Sequence, residues 1–132
     1  MHAAGARAHR LDLRADMPVR EYGAAGVVDE QLRAELAAQL GAGLAAAIPE
    51  AALVWLRAED AEPVDLARVA AALPPYAPIW VLTPKPGHPG HIPAAALGEL
   101  ADRAAVVLTD HTAITGGWTA TCVRRRRAEP GS

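Results

Sequence analysis

The chain has 132 residues, 52% of them hydrophobic and 21% charged, and a formal net charge of −2. This length and composition give one globular domain able to bury a core without disulfides or metal, well clear of the disordered class. The charge excludes a global attraction to nucleic acid or anionic membrane, the single Cys122 excludes an internal disulfide, and no apolar stretch is long enough to span a bilayer.

Residues 1–16 carry Arg7, Arg10 and Arg14 without the apolar run of a secretory signal, so they read as a flexible extension and the expected location is the cytoplasm. A single domain is expected over 17–124, followed by a basic flexible tail at 125–132. PVREYG (18–23) is a short strand stopped by Gly23. A helix follows over roughly 29–40, with Asp29 as its cap, Leu32, Leu36 and Leu40 at spacing four, and Gly41 and Gly43 to end it. AALVWLR (51–57) is a continuous apolar run of strand length, which implies burial on both faces.

Pro63 opens a second helix with Leu66, Val69, Ala70 and Leu73 on one stripe, stopped by Pro74, Pro75 and Pro78. PIWVLT (78–83) is the third buried strand. It runs into PKPGHPGHI (84–92), a stiff loop that holds the only lysine, Lys85, and two histidines, His88 and His91. Pro93 then starts a third helix with Leu97, Leu100 and Ala104 facing inward. AVVLTD (105–110) and GWTATCVR (117–124) are the last two strands, joined through a turn at Gly116 and Gly117. Alternation on the final strand puts Trp118, Ala120 and Cys122 on one face and Thr119, Thr121 and Val123 on the other.

The element order β-α-β-α-β-α-β-β predicts an open three-layer α/β sandwich with a mostly parallel five-stranded sheet. The closing strand pair brings in one antiparallel strand.

The early VREYG, the ALVWLR strand with its acidic follow-on AED, the segment IWVLTPKPGHPGHIPAAAL and the closing GGWTATCV together resemble the actinobacterial family catalogued as domain of unknown function 3052. The likeness covers about 110 residues and departs from the family pattern at the nearly uncharged AAGVV after the first strand. The family brings no agreed activity. More distantly, the element order resembles a class I methyltransferase with one strand-helix-strand portion removed. That resemblance implies the sheet order first, second, third, fifth, fourth, with the fifth strand antiparallel to its neighbours. It also implies a cofactor loop after strand one, where Glu21, Gly23 and Gly26 give E-x-G-x-x-G, one glycine short of the usual run. The portion that would carry the acid for the cofactor ribose is missing.

In open parallel sheets, ligands bind outside the carboxyl ends of the strands. That rule selects Glu21, Tyr22 and Gly23 at the end of strand one, Arg57 with Glu59 and Asp60 at the end of strand two, Thr83 and Lys85 at the end of strand three with His88 and His91 beyond, and, provided strand four runs parallel, Asp110 and His111 at its end. Three roles compete for the stiff loop. His88 and His91, with His111 or Asp110, have metal-ligand chemistry, but H-P-G-H is not helical and fixes no shared face, so no metal is expected. Lys85, the amides around Gly87 and Gly90 and the start of helix three suit a phosphate or carboxylate. A rigid connector needs no ligand at all.

Trp55 and Trp80 read as core, and Trp118 as partly exposed on its hairpin. Arg124 to Arg127 read as a solvated tail, since no aromatic is interleaved with them. Glu59, Asp60 and Glu62 read as a solvated loop, and Cys122 as a core thiol. Ser132 is the only serine and is terminal, which removes Ser–His–Asp chemistry. The expected function is a non-catalytic module that engages a protein partner or an anionic small molecule at the Lys85 rim, without cofactor, membrane or nucleic acid, and with the free edge of strand one open to homodimerisation. The alternatives are a small-metabolite enzyme using Lys85 and the rim histidines and, third, a remnant of an S-adenosylmethionine-dependent methyltransferase.

Overall fold

The computed structural model describes residues 17–23, 30–40, 46–58, 64–114 and 117–126. Its elements are β1 (Val19–Tyr22), α1 (Glu30–Leu40), β2 (Ala51–Trp55), α2 (Leu66–Ala71), β3 (Ile79–Pro84), α3 (Ala94–Arg103), β4 (Val106–Ile114) and β5 (Trp118–Arg125). The strands form one sheet in the order β1-β2-β3-β5-β4. β1, β2 and β3 are parallel, and β5 is antiparallel to both β3 and β4. This is the expected α/β sandwich, with the expected strand order.

The run Ala51–Leu56 shows why the sheet must be covered twice. Ala51, Leu53 and Trp55 point to one face, where Leu32 and Leu36 of α1 close the layer together with Val19, Trp80 and Leu82. Ala52, Val54 and Leu56 point to the other, where Leu66, Val69 and Ala70 of α2 and Leu97 and Ala101 of α3 pack with Val81 and Val123. Each strand side chain thus meets a helix, and the continuous apolar run follows from burial on both faces. Trp55 and Trp80 are core residues, as their sequence context predicts.

Three boundaries and one exposure differ from the sequence reading. α2 begins at Leu66 because Asp65 caps it, its carboxylate accepting from the amides of Ala67 (3.0 Å) and Arg68 (3.4 Å). α3 begins at Ala94, with Pro93 as the residue before it. β4 runs on to Ile114 because HTAI pairs with Trp118–Thr121 of β5, after a register shift between Leu108 and Asp110. Asp110 and His111 therefore lie within β4 and not at its end. Trp118, expected to be partly exposed, is only 9% exposed. Its ring meets Trp55 edge to face, with centroids 5.1 Å apart at 88°.

The arginine run also needs correcting. Arg124 donates to the Tyr76 carbonyl at 2.7 Å, and Arg126 pairs with Asp102 at 3.4 Å. The Arg125 guanidinium donates to the carbonyls of Ala70 and Leu73, at the C-terminal end of α2. Arg124 and Arg125 are half-buried and Arg126 is exposed; the Arg125 cation adds a donor to the last carbonyls of α2 and complements the helix dipole. The Arg125→Ala variant is expected to lose about 1.5 kcal/mol of stability in urea melts, whereas Arg125→Lys recovers part of it. The residues Val28, Asp29, Gly41, Gly43, Pro63 and Arg127, and the turn at 115–116, lie outside the described residues.

Candidate functional site

The carboxyl ends of β1, β2 and β3 share one edge of the sheet, and β4 points the same way because two antiparallel steps separate it from β3. At the β1 end, Glu21 is buried in a structural network. Its carboxylate accepts from Arg33 Nε at 2.8 Å and from the Trp55 indole Nε1 at 2.8 Å. The hydrogen bond and charge of Glu21 raise the Arg33 pKa further above its ordinary value. Tyr22 packs with the α2/α3 side, and the Arg20 guanidinium sits 5.5 Å from its ring centroid. Gly23 has φ +74°, and a Cβ there would lie 2.5 Å from the Trp55 carbonyl oxygen. Only glycine lets the two backbones approach so closely.

The stiff loop is held by its own backbone. Lys85 N donates to the Gly117 carbonyl at 2.8 Å, His88 N to the Lys85 carbonyl at 3.0 Å, and Ala58 N to the Gly90 carbonyl at 2.9 Å. The His88 ring lies over Gly117, where a Cβ would come within 3.0 Å of it. His91 donates from Nδ1 to the Pro84 carbonyl at 3.0 Å, because a carbonyl can only accept. Nε2 is therefore the unprotonated nitrogen of the neutral ring.

Between this loop, the first turn of α3 and the β5–β4 pair opens a cleft of about 590 Å³. Its apolar wall is Pro86, Ile92, Ala94, Leu97 and Leu108. Its polar groups are Thr83, His91, Asp110, His111, Thr119 and Thr121. Thr83 and Thr119 are opposite one another on β3 and β5, with their hydroxyl oxygens 3.1 Å apart, and Thr119 also donates to the Thr83 carbonyl at 3.3 Å. His111 Nδ1 is 2.9 Å from the Thr121 hydroxyl, and Asp110 Oδ1 accepts from the His111 amide at 2.9 Å.

Of the twelve rim residues selected from the sequence, Thr83, His91, Asp110 and His111 line this cleft. Arg57 lines a separate cavity of about 290 Å³ with Glu99 and Arg103, divided from the first by Ile92. Glu21, Tyr22 and Gly23 serve the β1–β2 contact. Lys85 and His88 line neither cavity. Among the described residues, no three His, Cys, Asp or Glu side chains come together as metal ligands. Glu59, Asp60, Glu62 and Gly26 lie outside the described residues. Thr119 and Thr121 are site residues the sequence reading passed over. The signal for them was present: two threonines on the face of an internal strand that otherwise carries core residues. Cys122 is buried on the opposite face, and burial pushes its thiol pKa up, which keeps it a core group and not a nucleophile.

The fold is that of the class I methyltransferases. The chain is similar to the structure of the mitomycin 7-O-methyltransferase MmcR, with a TM-score of 0.62 at 11% identity over 93% of this chain, though it spans only 53% of that protein's length. It is also similar to an S-adenosylmethionine-dependent methyltransferase from Aquifex aeolicus, with a TM-score of 0.58 at 12% identity, covering 87% of this chain and 85% of the other. A third likeness is to a 1,6-didemethyltoxoflavin-N1-methyltransferase of Burkholderia thailandensis, with a TM-score of 0.55 at 18% identity, covering 95% and 77% of the two chains. The chain belongs to the family described as "Protein of unknown function (DUF3052)", whose model matches residues 8–127. Uncharacterized proteins of Mycobacterium tuberculosis and Mycobacterium bovis are 29% identical to it over 131 residues, covering 94% of this chain and 81% of theirs.

This fold implies S-adenosylmethionine, and at the end of β1 the described residues offer it no free acid. β1 is an edge strand paired with β2 alone, so among the described residues no strand end lies on its other side to supply an acid to the cofactor ribose. The acid at the end of β1, Glu21, is engaged by Arg33 and Trp55. The cleft of about 590 Å³ lies at β3, β5 and β4. Among the described residues no helix is long and apolar enough to cross a membrane.

Proposed function

We propose that the chain is a small, non-catalytic binding module that takes a small molecule in the cleft between α3, the 84–93 loop and the β5–β4 pair. One observation carries this reading: a cleft of about 590 Å³ with an apolar body and polar groups gathered on β3, β4 and β5, the makeup of small-molecule sites. The site keeps to the carboxyl-end rim and uses Thr83, His91 and His111. Lys85 is not part of its wall, and the proposal therefore moves the anchor away from the lysine. Val107 and Leu108, 39% and 47% exposed at the β4 edge, would lie beside the bound molecule and leave room for a protein partner to sense it.

The test fills the cleft. Ala94 is exposed on the first turn of α3 and lines the wall, so Ala94→Trp puts an indole into the space while the fold is kept. Native mass spectrometry on protein purified from its host should show a retained organic mass in the wild type and its loss in Ala94→Trp. A retained mass that survives Ala94→Trp places the ligand elsewhere and defeats the proposal.

A second reading, an enzyme acting on the same molecule, is favoured by the fixed tautomer of His91, which leaves Nε2 as a base. Turnover of the retained molecule, lost in His91→Gln while binding persists, would mark that reading.

A further inference from the structure

We infer that the cleft selects an uncharged ring ligand with an amide-like edge, an N–H beside a C=O, as in a lactam or a carboxamide. This deepens the proposal that the cleft is the binding site and rests on it. Among the described residues, no Lys, Arg or Glu lines the cleft. Asp110 is the one acid on its border, and its carboxylate belongs to the other side of the sheet. It is paired in register with Cys122, which lies on the face covered by α1, and its Oδ1 accepts from the His111 amide at 2.9 Å. An ion entering the cleft would leave water without meeting a counter-charge, whereas a neutral molecule gives up far less hydration.

The polar groups that remain can turn their protons to suit such a ligand. Thr83 and Thr121, each 3% exposed, are the two polar side chains buried in the core among the described residues, and both line the cleft. Either hydroxyl can be the donor in the 3.1 Å contact between Thr83 and Thr119. If Thr119 gives its proton to the Thr83 hydroxyl, Thr83 has a proton to offer. If Thr119 gives it to the Thr83 carbonyl at 3.3 Å, Thr83 can give its own to Thr119, and the pair offers lone pairs.

The neutral His111–Thr121 pair, 2.9 Å apart, has the same freedom. When His111 Nδ1 donates, the Thr121 proton and a lone pair on His111 Nε2 are left. When Thr121 donates, the ring proton is on Nε2 and the lone pairs are on Thr121. One donor and one acceptor remain in either case. His91 is fixed: its Nδ1 proton is given to the Pro84 carbonyl, and the neutral ring offers the Nε2 lone pair. A group that is donor and acceptor at once satisfies all of these states, its N–H serving His91 and its C=O the proton of the His111–Thr121 pair.

The opposing influence is the first turn of α3. Pro93 supplies no side-chain cap, and the helix end carries about half a positive charge. That attracts an anion, but a fractional charge at one end of the cleft does not replace the hydration of a whole one. It also suits the oxygen end of a carbonyl dipole.

Benzamide, acetophenone, benzoate and benzamidine share one planar frame and differ in charge and in N–H content. They are titrated at about pH 8, above the ordinary titration range of histidine, into the wild type and Ala94→Trp. Binding is followed by ¹H–¹⁵N spectra at the Thr119 and Thr121 amides. Benzamide should bind at least about tenfold tighter than benzoate and benzamidine, because each ion enters without a counter-charge. It should bind about fivefold tighter than acetophenone, which lacks the N–H, the scale of one net hydrogen bond. All of these shifts should be lost in Ala94→Trp. Benzoate or benzamidine binding as tightly as benzamide, at the same amides and lost in Ala94→Trp, would overturn the uncharged class and leave the cleft standing. Acetophenone binding as tightly as benzamide would overturn the amide edge. If none of the four moves those amides, or the shifts persist in Ala94→Trp, the cleft is not the ligand site and both proposals fall.

Discussion

Trp55→Ala should cost about 4 kcal/mol in urea unfolding, at the upper end for a buried aromatic. Stability of a domain this size is typically about 5–15 kcal/mol, so the variant should be largely unfolded under mild heating. The size follows from three losses at one residue. The ring is fully buried beneath α1, its edge-to-face partner Trp118 loses its contact, and the Glu21 carboxylate loses the indole N–H at 2.8 Å. Trp55→Phe separates them: it keeps most of the packing and removes only the hydrogen bond, for an expected loss of about 1.5 kcal/mol. A loss below about 1 kcal/mol for Trp55→Ala would contradict a core built on this residue.

The second large effect is Gly23→Ala, expected to cost about 3 kcal/mol, from roughly 1 kcal/mol for a left-handed backbone and the rest from overpacking. The added methyl would meet the Trp55 carbonyl at 2.5 Å and the Val64 Cγ2 at 2.9 Å. Val64 can rotate away. The Trp55 carbonyl belongs to a strand paired on both sides and cannot move alone. Gly87→Ala is the control, since Gly87 has φ +88° and nothing within 4 Å of a built Cβ, and it should show the backbone cost alone, about 1 kcal/mol. Equal losses in the two variants would mean that β1 and β2 are less closely joined at this end than the structure has them.

How far these features can be read from the sequence depends on the range of the interaction that produces them. The alternation of strands and helices is a local signal, and Ala51–Leu56 or Leu32 and Leu36 announce their elements unaided. The far end of β4 is a pairing effect. HTAI carries no strong strand signal of its own and is extended because β5 lies beside it. The same pairing puts His111 next to Thr121 and Thr119 next to Thr83, so the cleft needed the register of β5 against both neighbours. Thr83, His91 and His111 were recognisable from the rule that sites lie at strand ends. Glu21 satisfied the same rule for another reason, since the first strand also needs a partner for the buried indole of Trp55. Arg125 was misread because a basic run near the chain end resembles a solvated tail until α2 is seen ending beside it.

The central claim is that this methyltransferase-like fold binds its ligand at β3, β5 and β4 and not at the end of β1. The most direct measurement is a ¹H–¹⁵N spectrum of the labelled protein before and after adding a small-molecule extract of its host. Saturable shifts at the amides of Thr83, Thr119, Thr121 and His111, with the Trp55 indole N–H unmoved, are the predicted result. Shifts at Gly23 and the Trp55 indole with those four amides unmoved would contradict it and return the site to the place where methyltransferases hold their cofactor.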